Sequence, residues 1–374
     1  HILSRSSAQR CTNEGRQVLN SCLEVCYCIN GRIQNCCRVR KHFTSMTEAE
    51  RTRYVETVRR VSTESAYRQE YRRIINMHQR LFSTGIHQKD QFLPWHRWYL
   101  LRYENLLRQV DCRVTLAYWD WSLFSMSPWN NTSDRIWYPG PSGLGGNGSD
   151  GRSGGCVTDG PFSRNVWRLT RYRQSLFFSS SIKTRKGEFA GRVSAPFLRC
   201  LLCSLHEMRL PPDIIAVYIT QYFQPTDDGF NRFELNLRVN LHDTVHCRVG
   251  GDMCRMTSAN APEFFLHHAF IDKIWANWQE YSHQHMIAHF SNLSFVMTGT
   301  RWYRPRDFIN THDLPDIQIP QIIDGRRICV SYEDPTRWEY NEIMRRLKDM
   351  TLRELLQIPR HSFAPVNNRQ MRFF

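Results

Sequence analysis

From Thr47 the chain settles into apolar positions that recur every three to four residues with polar residues between them, the period of an amphipathic helix. Thr47-Glu48-Ala49-Glu50 has the form of a helix start, a hydroxyl followed three positions later by a carboxylate, and the stripe continues from Glu64 to Ile75. Pro94 stands where another helix is expected to begin, with Trp98, Leu101, Leu106 and Leu107 facing inward as far as Val110. A third helical block covers residues 231–247 and a fourth covers 261–281. For the fourth, Asn260 is the expected N-cap, with Pro262 in the first turn and Glu263 three residues after the cap. Residues 139–155 hold so much glycine that a flexible surface excursion is expected there. Beyond residue 291, proline-broken segments such as Arg304-Pro305-Arg306 lead to one last amphipathic helix over residues 334–357.

This pattern predicts a mainly α protein with a four-helix bundle core and long loops. The expected division is a cysteine-rich segment at 1–40, a core at 41–290, and an extension at 291–374 that wraps the core. The first forty residues lack a helical period and are too short to own a core. Cys11, Cys22, Cys26, Cys28, Cys36 and Cys37 crowd into them, so bridges are expected to staple the segment to itself or to the main body. If the six pair among themselves, fifteen connectivities are open.

Composition changes the picture in two respects. Thirteen cysteines and the sequons at Asn130, Asn131, Asn147 and Asn292 favour an oxidising, extracellular setting, hence a secreted chain whose signal segment has been removed. The net charge of +15 comes mostly from scattered arginine. It admits attraction to an acidic extracellular matrix, or simply a solvated cationic surface, whereas the secretion signals disfavour nucleic acid. No apolar run is long enough to span a membrane.

Phe92-Leu93-Pro94-Trp95-His96-Arg97-Trp98-Tyr99-Leu100 sets a titratable imidazole inside an apolar run. Taken alone, such a histidine is most simply a neutral core residue with a hydrogen bond. Six of them in two sets of three alter that reading. His78 closes the first helical stripe, His87 follows in a glycine-containing loop, and His96 comes nine positions later. His242 and His246 sit four apart, on one helical face, and His268 follows on the face shared with Phe264, Ile271 and Trp275. Phe92 precedes His96 by four, as Phe264 precedes His268, as if one helical element were used twice. With no cysteine or carboxylate at ligand spacing, a dinuclear all-histidine centre suits copper best.

His78, His87 and His96 with their flanking residues, His242-Asp243-Thr244-Val245-His246, and Pro262-Glu263-Phe264-Phe265-Leu266-His267-His268-Ala269-Phe270-Ile271-Asp272 resemble the two copper sites of the tyrosinase family of type-3 copper proteins, in its secreted metazoan form. The likeness covers roughly residues 40–290. It implies that His78, His87 and His96 bind copper A and that His242, His246 and His268 bind copper B, with His267 turned aside as a packing residue. Two copper ions and dioxygen as co-substrate would then ortho-hydroxylate monophenols and oxidise o-diphenols to o-quinones. The phenols would be small molecules or protein-bound tyrosine, and the quinones could cross-link protein or build pigment. A catechol oxidase without monophenol activity, a haemocyanin-like oxygen carrier and a catalytically idle matrix protein are the alternatives.

A phenol must lose its proton before binding copper at neutral pH, so a base is expected. Glu234, eight residues before His242, resembles the glutamate that some bacterial tyrosinases use to hold a water. Asp243 stands where the family usually has asparagine; paired with Glu234 it is expected to share a proton and act as a weaker base. Met256, ten after His246, matches a position that often gates substrate entry. No cysteine stands two before His87, so a cysteine–histidine thioether of the kind some relatives carry is not expected there. His283, His285 and His289 are read as a solvated helix end, His1 as no metal brace, and Cys200 and Cys203 as ordinary disulfide partners.

Overall fold

The computed structural model describes residues 10–87, 89–146, 156–164, 166–167, 211–289, 293–317, 327–335 and 338–357. In chain order the strands β1 (Gln17–Leu19), β2 (Val25–Ile29) and β3 (Arg32–Arg40) precede helices α1 (Glu48–Thr63), α2 (Ser65–Leu81) and α3 (Lys89–Val110). Helices α4 (Ile214–Thr220) and α5 (Asp227–Leu235) lead through a π-helical segment, Asn236–Asp243, into α6 (Thr244–Val249). Then come α7 (Glu263–Gln279), α8 (His283–Ile287), β4 (Leu314–Pro315), β5 (Arg327–Tyr332), α9 (Trp338–Lys348) and α10 (Leu352–Gln357).

Helices α3 and α7 form the centre. Every residue from Phe92 to Leu101 is buried, as is every residue from Glu263 to Ala276. This all-round burial explains the apolar run: a helix with no solvent face has no polar stripe to show. The two helices meet through aromatic rings, with Phe265 stacked on Tyr103 at 3.5 Å and on Tyr99 at 5.5 Å. Helix α2 flanks them and is one-sided, burying Tyr71, Ile74, Ile75 and His78 at helical spacing. The run α5 to α6 supplies the fourth side of the core.

Charges inside the central helices must be paired. Arg97 Nε donates to Asp272 Oδ1 at 2.7 Å, its Nη1 donates to the Phe308 carbonyl at 3.0 Å, and its guanidinium lies 3.7 Å from the Trp275 ring centre. Arg40, reaching in from β3, pairs with Glu104 of α3 at 3.1 Å and with Asp272 of α7 at 3.4 Å. Burial alone would raise the Glu104 pKa, but Arg40 and Arg38 outweigh it and hold the carboxyl at about 2. One buried network therefore ties both central helices to the N-terminal sheet.

That sheet runs in the order β1-β2-β3-β5-β4, antiparallel except where β5 lies parallel to β3. The six early cysteines do not pair only among themselves. Cys11–Cys28 and Cys26–Cys36 close within the segment, whereas Cys22–Cys112 and Cys37–Cys329 fasten it to the main body. Local sequence carries no sign of partners this far apart.

Several boundaries differ from the sequence pattern. The Thr47 start is a full capping box, with Thr47 Oγ1 accepting from Glu50 N–H at 3.2 Å and Glu50 Oε2 accepting from Thr47 N–H at 2.8 Å. Helix α3, however, begins at Lys89 and carries Pro94 in its interior. Asn260 does not cap α7; its Nδ2 donates to the Thr257 carbonyl in a preceding 3-10 turn. The third block is interrupted by the π segment. The last helix is two, because Thr351 and Glu354 form a new cap that starts α10. Residues 142–145 of the glycine-rich stretch are buried rather than exposed. Gly145, at φ +84°, sits where a Cβ would fall 2.6 Å from the Asp159 carbonyl oxygen, so glycine here permits close packing. Residues 147–155, His1, Cys200, Cys203 and Asn292 lie outside the described residues.

Candidate dinuclear metal site

His78 is placed by the last turn of α2, His87 by the loop before α3, and His96 by the second turn of α3. Their ring centres are 5.1 to 5.8 Å apart, and one nitrogen from each lies within 4.8 Å of the others. His242 is the penultimate residue of the π segment and His246 lies one turn on in α6, their Nε2 atoms 3.1 Å apart. His268 of α7 brings its Nε2 to 3.2 Å from each of those two. The two sets adjoin: His96 stacks on His268 with ring centres 4.5 Å apart.

The other side of each ring fixes which nitrogen carries the proton. Nδ1–H of His87 donates to the Phe82 carbonyl at 3.1 Å, that of His96 to the Phe92 carbonyl at 2.7 Å, and that of His246 to the Met253 carbonyl at 2.8 Å. His242 Nδ1–H donates to Asp243 Oδ1 at 2.7 Å. Four of the six imidazoles are thereby left with a bare lone pair on Nε2. In the second set those lone pairs point at one another across little more than 3 Å, an arrangement that is repulsive between neutral rings and suits a shared cation. Nε2 of His78 and of His96 are buried without a hydrogen-bond partner.

Burial is the first cause of a depressed pKa in all six. Burial holds His87, the least buried, down to about 4 and keeps the others well below the ordinary imidazole value. All are therefore neutral at pH 7, the state a metal requires. Phenylalanines enclose the site crosswise. Phe92, beside His96, also packs on His242 at 4.9 Å, and Phe264, beside His268, also packs on His78 at 4.9 Å.

His267 also has a nitrogen within 4.8 Å of His242 and His246. Its ring is otherwise engaged: Nδ1 accepts from Trp121 Nε1–H at 3.0 Å, and the His242 backbone carbonyl faces it. Burial lowers it to about 3. His268 has the closer nitrogen and is the better placed of the pair to complete the second set.

Asp243 lies against this centre through His242, and the charge of Glu234 acts on Asp243. Glu234 is buried and ion-paired with Arg238, Nε to Oε1 at 2.6 Å and Nη2 to Oε2 at 3.4 Å. The two carboxyl groups thus have different partners, Arg238 for Glu234 and His242 for Asp243. Burial pushes Asp243 up to about 7; Arg238 opposes that rise and Glu234 adds to it. Met256 is exposed in the loop after α6, its backbone near the His78 ring. His283 and His285 lie on the short exposed α8, and His289 packs against Phe230 and Trp275, so these three build no metal group among the described residues.

Arg238 was not anticipated, although its spacing four residues after Glu234 on a helix is a legible pairing signal. The Cys247–Cys254 bridge was also missed. It closes the turn at Gly250, which has φ +70°, and returns the Met253 carbonyl to His246.

Comparison with known proteins agrees with this geometry. Residues 68–281 match the common central domain of tyrosinase. A tyrosinase of Streptomyces glaucescens is 33% identical over 253 residues, covering 64% of this chain and 82% of the relative, and one of Streptomyces lincolnensis is 34% identical over the same span. A polyphenol oxidase of Thermothelomyces thermophila superposes with a TM-score of 0.56 at 19% identity, covering 80% of this chain and 89% of that one, which is a likeness of fold. These relatives are bacterial and fungal and show no metazoan origin. With two histidine triads inside the matched region, the chain belongs to the tyrosinase family and is a copper-dependent phenol oxidase with a type-3 dicopper site.

Proposed function

We propose that this protein is an extracellular phenol oxidase that ortho-hydroxylates monophenols and oxidises o-diphenols to o-quinones. His78, His87 and His96 would hold one copper and His242, His246 and His268 the other. The observation that carries the reading is the meeting of two buried triads whose imidazoles are kept neutral and, in four cases, hydrogen-bonded at Nδ1. Bound copper would supply the reduction of dioxygen and the oxidation of the phenol ring.

The chain's own residues do the rest. The phenylalanines keep water from the imidazoles. Asp243 orients His242 and, with a pKa near neutrality, can take the proton an entering phenol gives up. Glu234 is the second acceptor, and Met256 stands at the entrance. Five described disulfides support an oxidising compartment. Small phenols or protein-bound tyrosine are the substrates, and the +15 charge suits an acidic matrix. The cysteine-rich segment, the copper core and the C-terminal extension divide at residues 40 and 290.

A catechol oxidase is the second reading, favoured by one observation: Arg238 already occupies both oxygens of Glu234. Copper per chain, followed by oxygen uptake with tyrosine and with dopa, separates the two. Two coppers and hydroxylation of tyrosine after a catechol primer support the first reading. Dopa turnover alone supports the second.

A further inference from the structure

Away from the copper site, one cluster among the described residues combines sulfur with an imidazole. Cys37 of β3 and Cys329 of β5 face each other in the parallel register and are joined by a disulfide spanning 292 residues of sequence. His312, exposed just before β4, brings Nδ1 to 3.5 Å from Cys329 Sγ. The three line an open groove with Tyr27, Arg38 and Arg327. Both cysteines are partly accessible. Three other described bridges each bury one partner, Cys28, Cys26 or Cys247. Cys22–Cys112 is accessible at both ends, but it has no histidine in a cluster with it among the described residues.

We propose that Cys37–Cys329 is a thiol-exchange site, opened by a small thiol with His312 serving the leaving sulfur. The incoming thiolate attacks Cys37 Sγ and forms a mixed disulfide there. The Cys37–Cys329 bond breaks with its electron pair moving to Cys329 Sγ, which takes a proton from the imidazolium of His312. A second thiolate attacks the sulfur carried on Cys37, releasing the reductant as its own disulfide and Cys37 as a thiolate, which the solvent protonates. In total two thiols are oxidised, and two electrons and two protons reach the cysteines. The direction follows from leaving-group strength, since a sulfur whose developing charge meets a cation departs faster.

The site has a route to the copper helices. Three residues after Cys329, Tyr332 O–H donates to Asp272 Oδ2 at 2.5 Å and accepts from Arg40 Nη1 at 2.7 Å. Asp272 lies one turn after His268 and holds Arg97, the neighbour of His96. Opening the bridge frees β5 from its covalent tie to β3 and loosens a strand whose end reaches this network.

The test uses the whole copper-loaded protein, glutathione as the thiol, trapping by alkylation and peptide mass mapping. Cys37 and Cys329 are expected to label first, with the glutathione adduct on Cys37. His312→Ala is expected to slow opening about tenfold, and His312→Gln to match it, while copper content and phenol oxidation before treatment stay at the unaltered level. Opening of Cys22–Cys112 first, an adduct on Cys329, or an unchanged opening rate in His312→Ala would each overturn the proposal.

Discussion

The first triad draws its imidazoles from two helices and the loop between them, whereas the second takes two from one continuous helical run and the third from α7. Ring centres stand 5.1 to 5.8 Å apart in the first and 4.5 to 5.3 Å apart in the second. The backbone accounts for this difference. A four-residue spacing on a helix sets two rings side by side before any tertiary contact forms, whereas His87 depends on a loop anchored by the Phe82 carbonyl and on the Phe82 ring 4.6 Å away. The second site is therefore the more preorganised, and the first the more dependent on its surroundings.

The comparison breaks most completely if the third ligand of the second triad is removed. His268→Ala should leave one copper per chain and lower phenol oxidation at least about 100-fold, because the two metals act as a unit. His267→Ala should keep two coppers and lose about 1–3 kcal/mol of stability, since Trp121 Nε1–H would be left buried without its acceptor. Copper analysis of the two variants decides between the adjacent histidines, and loss of a copper from His267→Ala instead would reverse the assignment.

Next in size is the tie between the triads. Arg97 and Asp272 sit one residue after His96 and four after His268, so their buried ion pair fixes α3 and α7 relative to each other. Arg97→Met should destabilise copper-free protein by about 3–5 kcal/mol in denaturant unfolding, because Asp272 would lose its closest cationic partner. Adding Asp272→Leu should recover part of the loss. Full additivity of the two changes would show that the pair does not act as a clamp.

How much of this was legible follows from how local each feature is. The pairing of His242 with His246, the Thr47 cap and the burial of Phe92 to Leu100 rest on neighbours a turn or two away, and the sequence pattern carries them, whereas the full set of six imidazoles was legible through its resemblance to a family. The π segment leaves no periodic trace, because its eight residues make fewer than two turns, too short a window for a period to be read. Cys22–Cys112, Cys37–Cys329 and the contact of Trp121 with His267 join residues 90, 292 and 146 positions apart, where only the folded chain makes the pairing. Asn260 failed as a cap because the chain turns once more before α7 starts, and boundaries of that kind depend on what the preceding loop packs against.

Preorganisation of the second triad has its own support in the Cys247–Cys254 bridge, which holds the Met253 carbonyl against His246. Replacing both cysteines by serine should weaken copper binding at the second triad about 10–100-fold and leave the first unchanged. A competition titration with a copper chelator reads the two affinities. Equal weakening at both triads would mean that the bridge acts on the whole fold rather than on one imidazole.

The smallest effect expected, and the one that compares the triads most directly, is their response to acid. An unfolded histidine titrates near ~6.5, while burial holds His87 at about 4 in the folded chain. Between these values the unfolded chain binds a proton that the folded one refuses, so copper-free protein loses stability as pH falls from about 6.5 to 4 and no further from this group below that. For copper the same shift works the other way, because a lone pair that refuses protons stays available to the metal in mild acid. Burial pushes the other five well below the ordinary imidazole value in the same way. Because the second triad is the more preorganised, copper retained per chain across a descending pH series should fall from two to one before it falls to none, with the metal of the first triad leaving first. Simultaneous loss of both ions would mean that the stacked His96 and His268 rings couple the sites more strongly than their separate supports divide them.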